Sequence, residues 1–174
     1  MSIEIERKFL VKNMNFKEQS FEKKYLKQGY LNSNKERTVR VRIADNEAFI
    51  TVKGKSNKAG TTRFEWEKEI TILEAEQLML LCENNSIEKN RFLVKNDNFI
   101  FEVDEFLGKN KGLIVAEIEL NTENDTFKKP NWLGKEVTGE VKYYNSSISK
   151  HPFKNWLQKT SNKSSRKFNK PTPK

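Results

Sequence analysis

The sequence predicts a mainly β protein of α+β class: a closed, antiparallel, tunnel-like barrel of about eight strands with a few covering helices. Three observations point there. Short runs that alternate apolar with charged residues recur from Ile3 to Asn121, and side chains alternate across a strand. Turn-forming pairs such as Asp45-Asn46 and Asp97-Asn98 separate these runs. The charged positions come in pairs, strand after strand, where an ordinary wet strand face mixes Thr, Ser, Gln and Lys.

The elements follow in order. Strand 3–11 points Glu4, Glu6 and Lys8 one way and Ile3, Ile5 and Phe9 the other, with Arg7 the exception on the apolar side. Two carboxylates in succession repel each other unless something positive, a metal ion above all, sits between them. Strand 24–31 ends at the turn Asn32-Ser33-Asn34. Strand 37–44 alternates Arg40 and Arg42 with Val39, Val41 and Ile43, and strand 47–54 sets Lys53 between Val52 and Gly54. Strand 61–70 carries Arg63, Glu65 and Glu67 around Phe64 and Trp66. Thr71-Ile-Leu-Glu74 is a capping box that opens a helix to about Cys82, ended by Asn84-Asn85. Strand 88–95 places Lys89 and Arg91 beside Phe92, and strand 99–106 places Glu102 and Asp104 against Phe101 and Val103. Strand 113–121 does the same with Glu117 and Glu119 against Ile118 and Leu120. Shorter helices are expected near 123–128, 145–149 and 152–159.

Seven bases and eight acids therefore share one set of strand faces. A sheet with one face in water shows the same alternation. Here, however, acids gather on the first and last two strands and bases on strands 37–44, 47–54 and 88–95. Closing such a sheet makes a cavity with one basic and one acidic wall. Its apolar face then points outward, covered in part by the Leu73–Cys82 helix. So many enclosed charges need a ligand and a metal to complete their pairing. A polyphosphate with divalent cations does this: Arg and Lys take phosphate oxygens, and carboxylates take the metal.

Composition narrows the chemistry further. Charged residues make up 33% and apolar ones 35% of 174 residues, enough for one domain with a real core. No apolar run approaches the roughly 20 residues of a membrane span, and no signal-peptide core opens the chain. Cys82 is the only cysteine and His151 the only histidine. Cys/His and Ser/His/Asp machinery is thus disfavoured, as are imidazole–thiolate zinc sites. An intrachain disulfide is impossible, which suits a cytoplasmic setting. Of the net charge of +9, six basic residues lie between Lys159 and Lys174 with no acid, leaving +3 on residues 1–158. The chain therefore divides into a domain over 1–158 and a basic, disordered tail over 159–174. Nucleic acid is expected to bind only weakly, through that tail.

Glu4-x-Glu6-x-Lys8 resembles the signature of the CYTH family, the triphosphate tunnel metalloenzymes. The resemblance continues through Gln28-Gly29-Tyr30-Leu31, Arg40-x-Arg42, Thr51-x-Lys53, Arg63-x-Glu65-x-Glu67, Lys89-x-Arg91, Glu102-x-Asp104 and Ala116-Glu-Ile-Glu119. Trp132-Leu-Gly134-Lys-Glu136-Val-Thr138 and Tyr143-x-Asn145 look like the closing segment of short bacterial members. Gly139 and Glu140 depart from the acids expected there. The resemblance implies metal ligation by Glu4, Glu6, Glu117 and Glu119, with Glu65, Glu67, Glu102 and Asp104 as further candidates. It implies phosphate binding by Lys8, Arg40, Arg42, Arg63, Lys89 and Arg91. Tyr30 and Lys53 resemble a pair that positions or activates water.

On that resemblance the expected activity is Mg²⁺- or Mn²⁺-dependent hydrolysis of a short triphosphate, foremost inorganic tripolyphosphate, giving pyrophosphate and phosphate. Rival readings are a class IV adenylate cyclase, a thiamine triphosphatase, and a non-catalytic binder of polyphosphate or RNA ends. A cyclase must also recognise adenine and ribose, and no separate base-recognition motif is seen. The full acid set disfavours a pure anion binder. The oligomeric state stays open, a homodimer included.

Overall fold

The structure, a computed structural model, describes residues 2–34 and 36–156, so the tail assigned to 159–174 lies outside the described residues. In chain order it runs β1 (Ser2–Val11), α1 (Phe16–Gln19), β2 (Ser20–Asn32), β3 (Arg37–Ala44), β4 (Glu47–Gly54) and β5 (Thr62–Ile70). It continues with α2 (Ile72–Leu80), β6 (Glu83–Asn96), β7 (Phe99–Phe106), β8 (Ile114–Glu119), β9 (Leu133–Glu136) and α3 (Asn145–Lys150). The strands are antiparallel in the order β5-β4-β3-β2-β6-β7-β8-β1, and β1 closes the ring by pairing back on β5 from Ser2↔Glu65 to Ile5↔Thr62. Eight strands thus form a closed barrel. β9 takes the same edge of β1 further along, where Phe9 meets Glu136 and Val11 meets Leu133.

Local chemistry explains the turns. Asp45 (φ 49°) and Asp97 (φ 54°) sit in the left-handed region that two-residue hairpins require. The capping box forms as read, with Thr71 accepting from the Glu74 amide and Glu74 reaching back to the Thr71 amide. The helix expected near 123–128 does not form. Asp125 instead closes a turn on itself, accepting from the Asn121 and Thr122 amides and the Thr122 hydroxyl. The helix expected over 152–159 shrinks to a single 3₁₀ turn, Phe153–Asn155, within the described residues. α1 and β9 were not anticipated as elements.

Strand register decides what meets what inside. Lys8 faces Glu117, Lys53 faces Glu65, Arg91 faces Asp104 and Glu4 faces Arg63. Like charges also stand opposite each other, Glu6 with Glu119 and Glu102 with Glu117, and these make the acidic wall. The next inward residues of the same strands are apolar: Phe106 pairs with Lys89, and Val115 with Asp104. They join Ile87, Val137, Tyr143 and Ile148 in a cluster that plugs this end of the barrel beneath the charges.

The outward apolar face is covered in two places. α2 lays Ala75 over Val41 and Ala48. Elsewhere Phe16 of α1 and Trp132 pack on Phe9, Phe92 and Phe101, with Phe16 edge-on to Phe92 at 5.3 Å and Phe101 edge-on to Trp132 at 5.3 Å. Trp132 is fully buried and its indole N–H donates to Gln19 at 2.9 Å. The segment before β9 is therefore structural. Trp132→Ala is expected to cost about 3–5 kcal/mol in urea unfolding; a loss under about 1 kcal/mol would show that this segment is only a loose cover.

Candidate active site

The closed ring encloses a cavity of about 580 Å³. All the residues singled out by sequence line it except Lys89 and Asp104, which lie beneath it. The two walls meet in ion pairs. Lys53 is held between Glu4 (2.8 and 2.9 Å) and Glu65 (2.6 Å). Arg63 donates to Glu4 at 2.8 Å and to Glu6 at 3.1 Å. Lys8 is buried against Glu117, and Arg91 reaches Glu102 and, at 3.5 Å, Glu117. Arg40 (3.4 Å) and Arg42 (3.2 Å) share Glu67, which also accepts from the Thr51 hydroxyl at 2.7 Å.

Burial and partner charges compete at each group. Burial works against the Lys8 ammonium, but Glu117 and Glu6 outweigh it and its pKa is raised. Burial likewise opposes the Glu117 charge, yet Lys8, Lys89 and Arg91 hold its pKa well below the usual carboxylate range. Arg42 goes the other way: burial, then the Arg40 charge, lowers its pKa. The Nε atoms of Arg40 and Arg42 are buried with no hydrogen-bond partner. This corner of the basic wall is short of anions. Burial pushes the Tyr30 phenol up to about 12, so at neutral pH it is a neutral hydroxyl, and it accepts from Gln28 Nε2 at 3.2 Å.

Mutual repulsion among Glu4, Glu6, Glu117 and Glu119 is what the bare acid pattern suggests. The structure relieves it at three of the four through Lys53, Arg63 and Lys8. Glu119 is left over. The side chain is exposed at the cavity; its partial burial first, then the charges of Glu4, Glu102 and Glu65, raise its pKa, with Lys53 acting against them. It has no ion pair among the described residues. Among those residues no three His, Cys, Asp or Glu side chains converge tightly enough to hold a metal as they stand, because bases separate the carboxylates. The donor set nevertheless fits a hard divalent cation: six carboxylates (Glu4, Glu6, Glu65, Glu102, Glu117, Glu119) around one cavity, with Glu119 in no ion pair among the described residues. Glu67 stands apart from that group, on the arginines.

Some residues of the site have no role assigned from the sequence. Thr51, present there only within the Thr51-x-Lys53 motif, does not line the cavity but is fully buried behind it, accepts from Arg40 at 3.1 Å, and shares the inward parity of Lys53, which was the available signal. Tyr144, rather than the motif residue Tyr143, reaches the cavity with Asn145 and Ser146, and Lys8 Nζ lies 5.9 Å from its ring centroid. Gly139 stands where an acid was expected because its φ is +77° and a Cβ would lie 2.9 Å from the Ala59 carbonyl.

A family model described as the CYTH domain matches residues 2–152. The chain belongs to the CYTH domain family. It is 46% identical over 160 residues to an inorganic triphosphatase of Acetivibrio thermocellus, covering 91% of this chain and 100% of that protein. An inorganic triphosphatase of Nitrosomonas europaea is 34% identical over 150 residues, 84% of this chain and 96% of that one. The crystal structure of an inorganic triphosphatase superposes with a TM-score of 0.59 at 32% identity, covering 83% of this chain and 96% of that chain. This CYTH fold is the barrel described above, and the family implies a divalent metal.

Glu119 gives a test of the site's electrostatics. A carboxylate whose pKa is raised on folding weakens the fold above its unfolded pKa and is neutral in both states well below it. Glu119→Gln should therefore raise the melting temperature of the metal-free protein at pH 7 and leave it unchanged near pH 3. Equal shifts at both pH values, or a lower melting temperature at pH 7, would show that Glu119 is compensated.

Proposed function

We propose that this CYTH protein is a metal-dependent triphosphatase that hydrolyses inorganic tripolyphosphate to pyrophosphate and phosphate. The observation that carries the reading is the enclosed basic wall, with the buried, unpartnered Nε atoms of Arg40 and Arg42, facing a wall of carboxylates across one cavity. The names of the relatives support it. Guanidinium forks suit phosphate oxygens, and a chain of three phosphates can take donors from Arg40, Arg42, Arg63, Arg91 and Lys8 together. Glu4, Glu6, Glu65, Glu102, Glu117 and Glu119 would hold Mg²⁺ or Mn²⁺. When bound, such an ion neutralises phosphate charge and polarises water.

The chain's own groups then divide the remaining work. Arg40 and Arg42 exchange Glu67 for phosphate oxygens, so binding trades one anion for another with little net desolvation. Lys53, gripped by Glu4 and Glu65, is an ammonium donor at the edge of the acidic wall, placed to hold a terminal phosphate or the water that attacks it. Tyr30, neutral at its raised pKa, can donate a hydrogen bond and does not act as a general base near pH 7. Holding phosphate and water in line inside a closed barrel is the larger part of such catalysis. A cytoplasmic setting belongs to the same reading, and among the described residues no helix is long and apolar enough to cross a membrane.

The test is a metal-by-substrate screen that quantifies phosphate, pyrophosphate and cyclic AMP. Tripolyphosphate should be cleaved with Mg²⁺ or Mn²⁺ and spared in excess EDTA. Cyclic AMP from ATP as the main product would replace this reading with the cyclase, and full turnover after metal removal would overturn the metal assignment. Lys53→Ala should lower kcat far more than it raises KM, whereas Arg40→Ala should weaken binding by about 1.5–3 kcal/mol. If Lys53→Ala changes KM alone, Lys53 is one more phosphate ligand.

A further inference from the structure

We propose that Asp104 and Lys89 touch neither metal nor substrate, and instead form a positioning layer that fixes the guanidinium of Arg91 from below. This deepens the triphosphatase reading and rests on it. Both side chains are 1% exposed, and neither lines the cavity. Asp104 Oδ1 accepts from Arg91 Nε at 2.7 Å and Oδ2 from Arg91 Nη2 at 2.7 Å, a two-bond fork that locks the guanidinium plane. Lys89 donates to the same Oδ2. Three of the four acceptor positions of this carboxylate are thus taken by buried donors, and the side chain does not line the cavity from which a metal would approach.

The other edge of Arg91 is arranged differently. Its Nη1 meets Glu102 and its Nη2 also lies 3.5 Å from Glu117, both cavity-lining carboxylates. Arg91 therefore has one edge clamped by Asp104 and another turned to partners that a phosphate oxygen can replace. Below the clamp, Phe106 and Val115 leave no room for ligand. Lys89 supplies a positive charge that keeps the Asp104 carboxylate paired on both sides, which a lone buried acid would lack.

Removing one member alone would strand a buried charge, so the variant of choice deletes the pair: Lys89→Met with Asp104→Asn. Calorimetric titration of tripolyphosphate in EDTA reads anion binding without metal or turnover. The pair variant should bind about tenfold more weakly than wild type, and Arg91→Ala at least as weakly. Combining all three substitutions should be no worse than Arg91→Ala alone, because the pair acts only through that arginine. At saturating tripolyphosphate, where weaker anion binding no longer feeds into the metal requirement, the Mg²⁺ concentration for half-maximal turnover should stay unchanged in the pair variant. Wild-type affinity in the pair variant, an undiminished effect on the Arg91→Ala background, or a raised Mg²⁺ requirement would each overturn the proposal. Should the pair variant not fold, Asp104→Glu carries the same predictions, since it keeps the charge and displaces the fork. A wild type that binds tripolyphosphate without cleaving it would overturn the proposed activity and leave this comparison of affinities decisive for Arg91.

Discussion

Charge pairing across a closed barrel is the constraint on which the rest of this molecule depends. Lys8, Lys53, Arg63, Arg91 and their carboxylate partners sit inside a ring sealed by the β1–β5 pairing, where water screens them little. Such pairs add little net stability, since desolvation cancels most of the attraction, but removing one partner is costly, on the order of 3–5 kcal/mol. Stability must then come from elsewhere. It comes from the outward aromatic face under Phe16 and Trp132, the α2 cover over Val41, and the apolar plug around Ile87 and Phe106.

The same constraint makes the site exchangeable. Each base of the site already meets an anion, though Arg40 and Arg42 share one, and each acid but Glu119 meets a cation; on the proposed reading, ligands therefore enter by swapping partners rather than by being buried as bare charges. Glu67 illustrates this. It occupies the place between Arg40 and Arg42 that a phosphate would take, while Thr51 holds it from below. On the proposed reading, the acids of β1, β7 and β8 would become free for a cation as phosphate draws their bases away, which would tie metal and anion to one event.

Much of this was legible in the sequence because period-two alternation encodes the barrel's inside and outside directly. The inward set from Glu4 to Glu119, the Asp45 and Asp97 hairpins and the Thr71 capping box all follow from local rules. What failed to show was set by tertiary contacts. β9 is four residues long, contains Gly134 and lies against the Leu10 backbone, where a Cβ on that glycine would be 2.7 Å from the Leu10 carbonyl. Thr122 and Asp125 carry the letters of a helix start but satisfy one another in a turn. Which acid meets which base depends on strand stagger, so the isolation of Glu119 and the descent of Asp104 and Lys89 below the cavity are invisible in one dimension.

The central claim is that substrate and metal replace internal ion pairs. A crystal structure with tripolyphosphate and Mn²⁺ tests it most directly, since anomalous scattering locates the metal without ambiguity. The expected result is phosphate oxygens on Arg40 and Arg42, Glu67 turned away from them, and the Mn²⁺ peak among Glu4, Glu6, Glu117 and Glu119. Tripolyphosphate bound outside the barrel, with the Arg40–Glu67–Arg42 and Lys53–Glu4 pairs intact, would contradict it.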